Sequence, residues 1–136
     1  MTNTVLVVDD EQVLAAAMRD YLGRFGYAVK VKGSGEAALK LIDQEPPDIV
    51  VLDYRLPRMD GLEVLRKIKD SHPEIEVIML TAHSSVESTV EAMNLGAFDF
   101  LNKPVDLEDL RLVVVKAQQA LRRTHELDCL PRPTSR

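Results

Sequence analysis

The sequence predicts an α/β domain built on a parallel sheet with helices on both faces, and three observations carry that prediction. Short β-branched runs alternate with longer stretches of helical period five times along the 136 residues. The first, third and fourth runs are apolar without interruption, as strands buried on both faces must be. A composition of 46% hydrophobic and 29% charged residues is enough to bury a core at this length, and it points to one domain rather than two.

Taken in order, the first strand is expected at Val5 to Val8. A helix follows in which Leu14, Ala17, Met18, Tyr21 and Phe25 recur at helical spacing, ended by Gly26. Tyr27 to Val31 reads as the second strand, and Lys30 within it marks a sheet edge. Gly33 to Gly35 is a loop leading into a helix striped by Ala38, Leu41 and Ile42. The third strand, Ile49 to Leu52, precedes a stripe of Leu62, Leu65 and Ile68. The fourth, Val77 to Leu80, precedes Val86, Val90 and Met93, with Gly96 as the stop. Phe98 to Leu101 is the fifth strand. The final helix is expected from Leu107 to about Leu127, with Leu107, Leu110, Val114, Ala117 and Leu121 three and four residues apart. Two heptads are too few for a coiled coil. Packing on the sheet is the expectation, with continuation past the core into a dimer contact or linker as the alternative. The domain is placed at residues 1–127 and a disordered tail at 128–136, where two prolines and two arginines follow one another closely.

Composition excludes several classes of function. The single cysteine, Cys129, forms no internal disulfide, and no Cys/His cluster has zinc spacing, so a reducing cytoplasm is the expected setting. The longest apolar run, Val13 to Met18, is far short of a bilayer span, and the first residues carry no basic secretion signal. With 17 Lys plus Arg against 22 Asp plus Glu, the net charge of -5 argues against direct contact with nucleic acid. No G-x-x-x-x-G-K-[ST] is present, and Gly33-Ser34-Gly35 lacks the third glycine of a dinucleotide loop.

In an open parallel sheet, ligands bind outside the carboxyl ends of the strands where strand order reverses. The first strand ends in Asp9-Asp10-Glu11, the third in Asp53, the fourth in Thr81 and the fifth in Lys103. Each has a bland explanation alone: Asp10 as a cap of the first helix, Thr81 or Ser84 as a cap of the fourth, Lys103 as a solvated charge. Convergence on one edge argues for a site. Carboxylates gathered there repel, by on the order of 4 kcal/mol for a pair about 4 Å apart at an effective dielectric of 20. Lys103 supplies one positive charge. An oxygen-only ligand set suits a hard cation that keeps its waters, so Mg²⁺ is expected, with Mn²⁺ able to substitute. Metal and lysine together favour a phosphoryl group, and a carboxylate can accept one as an aspartyl phosphate.

These residues closely resemble the receiver domain of two-component response regulators over roughly Thr4 to Arg123. The resemblance rests on Asp9-Asp10-Glu11, on the run Val51 to Gly61 around Asp53, on Leu80-Thr81-Ala82 and on Asn102-Lys103-Pro104, each after a strand. It implies a flavodoxin-like doubly wound sheet of order 2-1-3-4-5 with five helices. By position, Asp53 would be the phosphoacceptor. Mg²⁺ would be held by Asp10, Asp53 and the backbone carbonyl of Arg55, with Asp9 acting through water. Lys103, the Thr81 hydroxyl and the backbone at Ala82 would bind the phosphoryl oxygens. Phe100 would turn inward as Thr81 is drawn to the phosphoryl group. Arg55 and His83 occupy positions that tune phosphoryl lifetime, and the Lys103–Pro104 bond is commonly cis in the family.

The implied function is a phosphorylation-controlled switch rather than a turnover enzyme. It would be supplied by a sensor histidine kinase or phosphotransfer protein and read by a downstream protein or output domain. The changing surface would be the fourth helix, fifth strand and last helix, where a homodimer is also possible. The run Ala82 to Glu87, followed by Gly96 to Phe100, looks most like receivers in front of AAA+ transcription activators, so a receiver excised from such a regulator is one alternative. A Mg²⁺-dependent aspartyl-phosphate phosphatase is another, opposed by the adjacency of Asp9 and Asp10 where haloacid-dehalogenase-type enzymes carry Asp-x-Asp.

Overall fold

In the computed structural model, residues 3–82 and 86–129 are described, with the side chains of 86 and 124–129 left aside. His83 and the tail from residue 130 lie outside the described residues. Five strands, β1 (Thr4–Val8), β2 (Ala28–Lys32), β3 (Ile49–Asp53), β4 (Glu76–Thr81) and β5 (Asp99–Asn102), alternate with α1 (Gln12–Gly23), α2 (Gly35–Gln44), α3 (Gly61–Ser71), α4 (Val86–Asn94) and α5 (Leu107–Cys129). The strands pair in parallel in the order β2-β1-β3-β4-β5, so the chain reverses direction across the sheet between β1 and β3.

The side-chain alternation of a strand sorts the core into two layers. Val5 and Val7 of β1, with Ile49 and Val51 of β3, face Ala15, Met18 and Leu22 of α1 and Leu110, Val114 and Ala117 of α5. Leu6 and Val8, with Val50 and Leu52, face Ala38 and Ile42 of α2 and Val64, Leu65 and Ile68 of α3. Every residue of β3 is buried, which is why that strand reads as an unbroken apolar run. β2, carrying Lys30 and Lys32, is an edge, and Lys30 pairs with Glu45. Among the described residues no helix is long and apolar enough to cross a membrane.

Several local expectations are corrected. α1 ends at Gly23, and Phe25 lies beyond it in a turn closed by Gly26 at φ +91°, 49% exposed. Its ring packs against Tyr21, centroids 5.3 Å apart, and beneath the Arg111 guanidinium instead of in the core. In α4 the apolar spacing is helical but its phase differs: Val90 and Met93 are exposed, and the small Ala92 is buried beside Met79 and Phe100. The residue capping α1 is Glu11, not Asp10, and its side chain makes no cap bond. The N-caps of α2 and α3 are conventional, with Ser34 accepting from the Ala37 amide and Asp60 from that of Glu63. Asp106 accepts from the amides of Glu108 and Asp109 at the start of α5. α5 runs 23 residues to Cys129, past the expected boundary.

Lys69 ties together the end of the sheet opposite the polar strand ends. Its ammonium donates to the carbonyls of Ile75 (2.6 Å) and Pro73 (3.2 Å). Its methylenes lie under Gly96, whose φ of +103° turns the chain out of α4.

Candidate functional site

The sheet hydrogen bonding runs past the strand ends and holds the polar residues in place. The amide of Asp9 donates to Lys32 O (3.1 Å), that of Tyr54 to Leu80 O (2.7 Å) and that of Lys103 to Thr81 O (2.7 Å). Asp9, Asp53, Thr81 and Lys103 therefore leave one edge of a rigid scaffold. Asp9, Asp53 and Thr81 are the buried polar residues among the described residues. Asp10, in the bend after β1, is exposed.

One carboxylate oxygen each from Asp9, Asp10 and Asp53 lies within 4.8 Å of the others. The inner oxygens are held by backbone: Asp9 Oδ1 accepts from the Glu11 amide (2.9 Å) and Asp53 Oδ1 from that of Arg55 (3.2 Å). The Lys103 ammonium sits over the outer ones, 3.0 Å from Asp53 Oδ2 and 2.6 Å from Glu11 Oε1. It also lies 3.1 Å from Asp9 Oδ2, but off the hydrogen-bonding direction, so that buried oxygen has no hydrogen-bond partner among the described residues. An unsatisfied buried carboxylate oxygen facing two further carboxylates fits a hard divalent cation with oxygen ligands.

Burial pushes the Asp53 carboxyl up to about 6, with the charge of Asp9 adding to the effect and the hydrogen bonds from Lys103 and the Arg55 amide opposing it. Burial pulls the Lys103 ammonium down, but its hydrogen bonds to Glu11 and Asp53 and the close carboxylate of Asp9 outweigh that and hold it above the ordinary lysine value. Lys103 is thus a fixed positive charge beside a carboxylate whose ionisation is resisted by its surroundings.

α3 closes the site from below. The Gly61 amide donates to Tyr54 O (2.8 Å), and a Cβ at Gly61 would lie 2.4 Å from Asp53 O, so only glycine allows this helix to start so near the Asp53 peptide. Between Asp53 and Gly61, Arg58 takes the left-handed conformation at φ +70°. The Lys103–Pro104 peptide is cis.

Thr81 and Phe100 meet in a narrow cleft completed by Tyr54, Met79, Ser88, Thr89 and Ala92. Phe100 packs with the layer under α2 and α3, whereas Phe98, just before β5, packs with the opposite layer. Ala82 and Arg55 are exposed beside Thr81 and Asp53. The structure thus brings Asp9, Asp10, Asp53 and Lys103 together, with Thr81 and Phe100 adjoining. Sequence reasoning missed Glu11 as a Lys103 partner: its place in the acidic run was visible, but not that its side chain reaches 2.6 Å from a residue 92 positions away.

Residues 5–115 match the response regulator receiver domain family. Luminescence regulatory protein LuxO of Vibrio campbellii is 39% identical over 123 residues, covering 90% of this chain and 27% of that protein. Transcriptional regulatory protein ZraR of Escherichia coli is 40% identical over 124 residues, covering 91% and 27%. The chain spans about a quarter of the length of these two relatives. Among solved structures, a signal receiver domain assigned to a LuxO repressor protein of Vibrio parahaemolyticus superposes with a TM-score of 0.90 at 29% identity, covering 96% of this chain and all of that one. With a family match over residues 5–115 and a close superposition on a solved receiver domain, the chain belongs to the response regulator receiver domain family, whose members are phosphoacceptor switches.

Proposed function

We propose that Asp53 accepts a phosphoryl group from a phosphohistidine of a sensor kinase or phosphotransfer protein. In that step an Asp53 oxygen forms a bond to phosphorus as the N–P bond breaks, and the departing imidazole keeps the electron pair. The observation that carries the reading is the setting of Asp53: a buried carboxylate clustered with Asp9 and Asp10, with Lys103 3.0 Å from its outer oxygen. Mg²⁺, or Mn²⁺ in its place, would be held by Asp10, Asp53 and the Arg55 carbonyl, with Asp9 acting through water. When bound, the ion would draw charge from the phosphoryl oxygens.

The chain's own groups supply the rest. Lys103 neutralises the phosphoryl oxygens, while the Thr81 hydroxyl and the Ala82 amide donate to them. Drawing Thr81 toward Asp53 vacates its side of the cleft shared with Phe100, and that ring turns inward. The surface of α4, β5 and α5 then changes, for a downstream protein, an output domain or a second copy of the chain. Arg55 and His83, two residues along the chain from Asp53 and Thr81, would modulate hydrolysis. The similarity to LuxO and ZraR, of which the chain spans 27% each, supports the reading in which that surface acts on the output part of a longer cytoplasmic regulator.

The test is intact mass after incubation with acetyl phosphate. One added phosphoryl group is expected, lost with chelator and absent in Asp53→Asn. Addition to Asp53→Asn at the parent's rate would remove Asp53 from the role.

A further inference from the structure

The Lys103 ammonium has three donors and faces three carboxylates, which are not equivalent. It hydrogen-bonds Glu11 Oε1 at 2.6 Å and Asp53 Oδ2 at 3.0 Å, while Asp9 Oδ2 at 3.1 Å lies off line. The side chains of Asp9 and Asp53 are 0% and 6% exposed, and each is also held by a backbone amide. That of Glu11 is 60% exposed, and although Glu11 is the cap residue of α1 it bonds no helix amide. Its carboxylate reaches across the site to Lys103.

We propose that Glu11 is a positioning residue, a removable counter-anion that occupies Lys103 until a phosphoryl group arrives on Asp53. The proposal rests on Asp53 being the acceptor. A phosphoryl group there adds close to two negative charges and needs Lys103 N–H donors. One donor is already committed to Asp53 and one to Glu11. Asp9 cannot withdraw, because it is buried and fixed. Glu11 can swing into water at little cost, because an exposed ion pair is weak. Until it does, its charge both occupies Lys103 and repels the newcomer. Glu11 therefore holds the ammonium in place before phosphorylation and opposes the phosphorylated state, setting how readily the switch is thrown.

The experiment is a calorimetric titration with beryllofluoride, a phosphoryl mimic, in saturating Mg²⁺, on the parent, Glu11→Gln and Asp53→Asn, with Mg²⁺ titrated alone in parallel. Glu11→Gln is expected to bind beryllofluoride about two- to fivefold more tightly, the range of one exposed charge pair. Its Mg²⁺ affinity is expected to change less than about twofold, since Glu11 lies on Lys103 and not in the Asp9–Asp10–Asp53 oxygen cluster. A gain in affinity is not what damage to the start of α1 would produce. Unchanged or weaker binding by Glu11→Gln overturns the proposal. So does a parallel several-fold loss of Mg²⁺ affinity, which would make Glu11 part of the metal pocket. Binding by the parent without the gain removes the role of Glu11 alone, whereas no binding by the parent removes the acceptor reading and this proposal with it.

Discussion

Asp53 is buried where its charge is disfavoured, and that has a measurable sign. Its carboxyl is raised from 3.8 to about 6, so protonation favours the folded state. The stabilisation from protonation is complete below about pH 4 and lost as pH rises through about 6. In chelated buffer at pH 7.5, Asp53→Asn is therefore expected to be more stable than the parent by roughly 1–3 kcal/mol, with the gap closing toward pH 4. Urea denaturation at the two pH values checks this; an Asn variant less stable at pH 7.5 would mean that the Lys103 pair outweighs burial. Lys103→Ala is expected to weaken the phosphorylation-driven amide shifts of α4 and β5 while Mg²⁺ still binds, and unchanged shifts would remove Lys103 from the switch. Asp9, Asp53, Thr81 and Lys103 were legible because each ends or follows a strand, and a parallel sheet delivers all such ends to one edge. The difference in burial between Asp9 and Asp10 was not: adjacent acids carry the same pattern until the bend after β1 buries one and exposes the other.

Among the elements, the junction of β3 and α3 is the least tolerant. A methyl at Gly61 would meet Asp53 O at 2.4 Å and Tyr54 Cα at 2.8 Å, both backbone, so neither can rotate away. Gly61→Ala is expected to destabilise the fold by about 2–3 kcal/mol and to slow phosphorylation by displacing the Asp53 peptide. Thermal melting and the rate of mass gain with acetyl phosphate check it, and a variant with parental values in both would show that α3 can back away freely. Strand positions were readable because an apolar run between turn residues has few other fates in an alternating chain. The inner face of α4 was not readable, since Val90 and Met93 satisfy helical spacing as well as Ala92 does. The choice is made by how closely the helix backbone must approach Met79 and Phe100, which favours the smallest side chain. Phe25 misled for a related reason: its spacing from Tyr21 is helical, but α1 has already ended.

Taken as a whole, the molecule has two apolar layers on a single sheet whose central strand is buried on both sides. Neither layer survives loss of β3, so the two are expected to unfold together. The tyrosines report on both, Tyr27 in the α1/α5 layer and Tyr54 packed against the α2/α3 layer. Near-ultraviolet tyrosine signals and the amide exchange of both layers should share one urea midpoint; separate midpoints would show two independent units. The layered architecture was evident from the alternation of elements. The strand order was not a matter of periodicity and came from the resemblance, because the run of apolar residues in a strand is the same whichever neighbour it pairs with.

The grip of Lys69 beneath Gly96 makes the far end of α4 a fulcrum. That end is pinned by the Ile75 and Pro73 carbonyls and by the Phe98 amide on Val77 O (2.7 Å), while the start of the helix lies near Thr81. A nine-residue helix is about 13 Å long, so a tilt of about 10° about Gly96 would carry its first turn about 2 Å. In the proposed switch, chemistry at Asp53 would need only to nudge the free end of a lever whose bearing is a lysine stem on the opposite side of the domain.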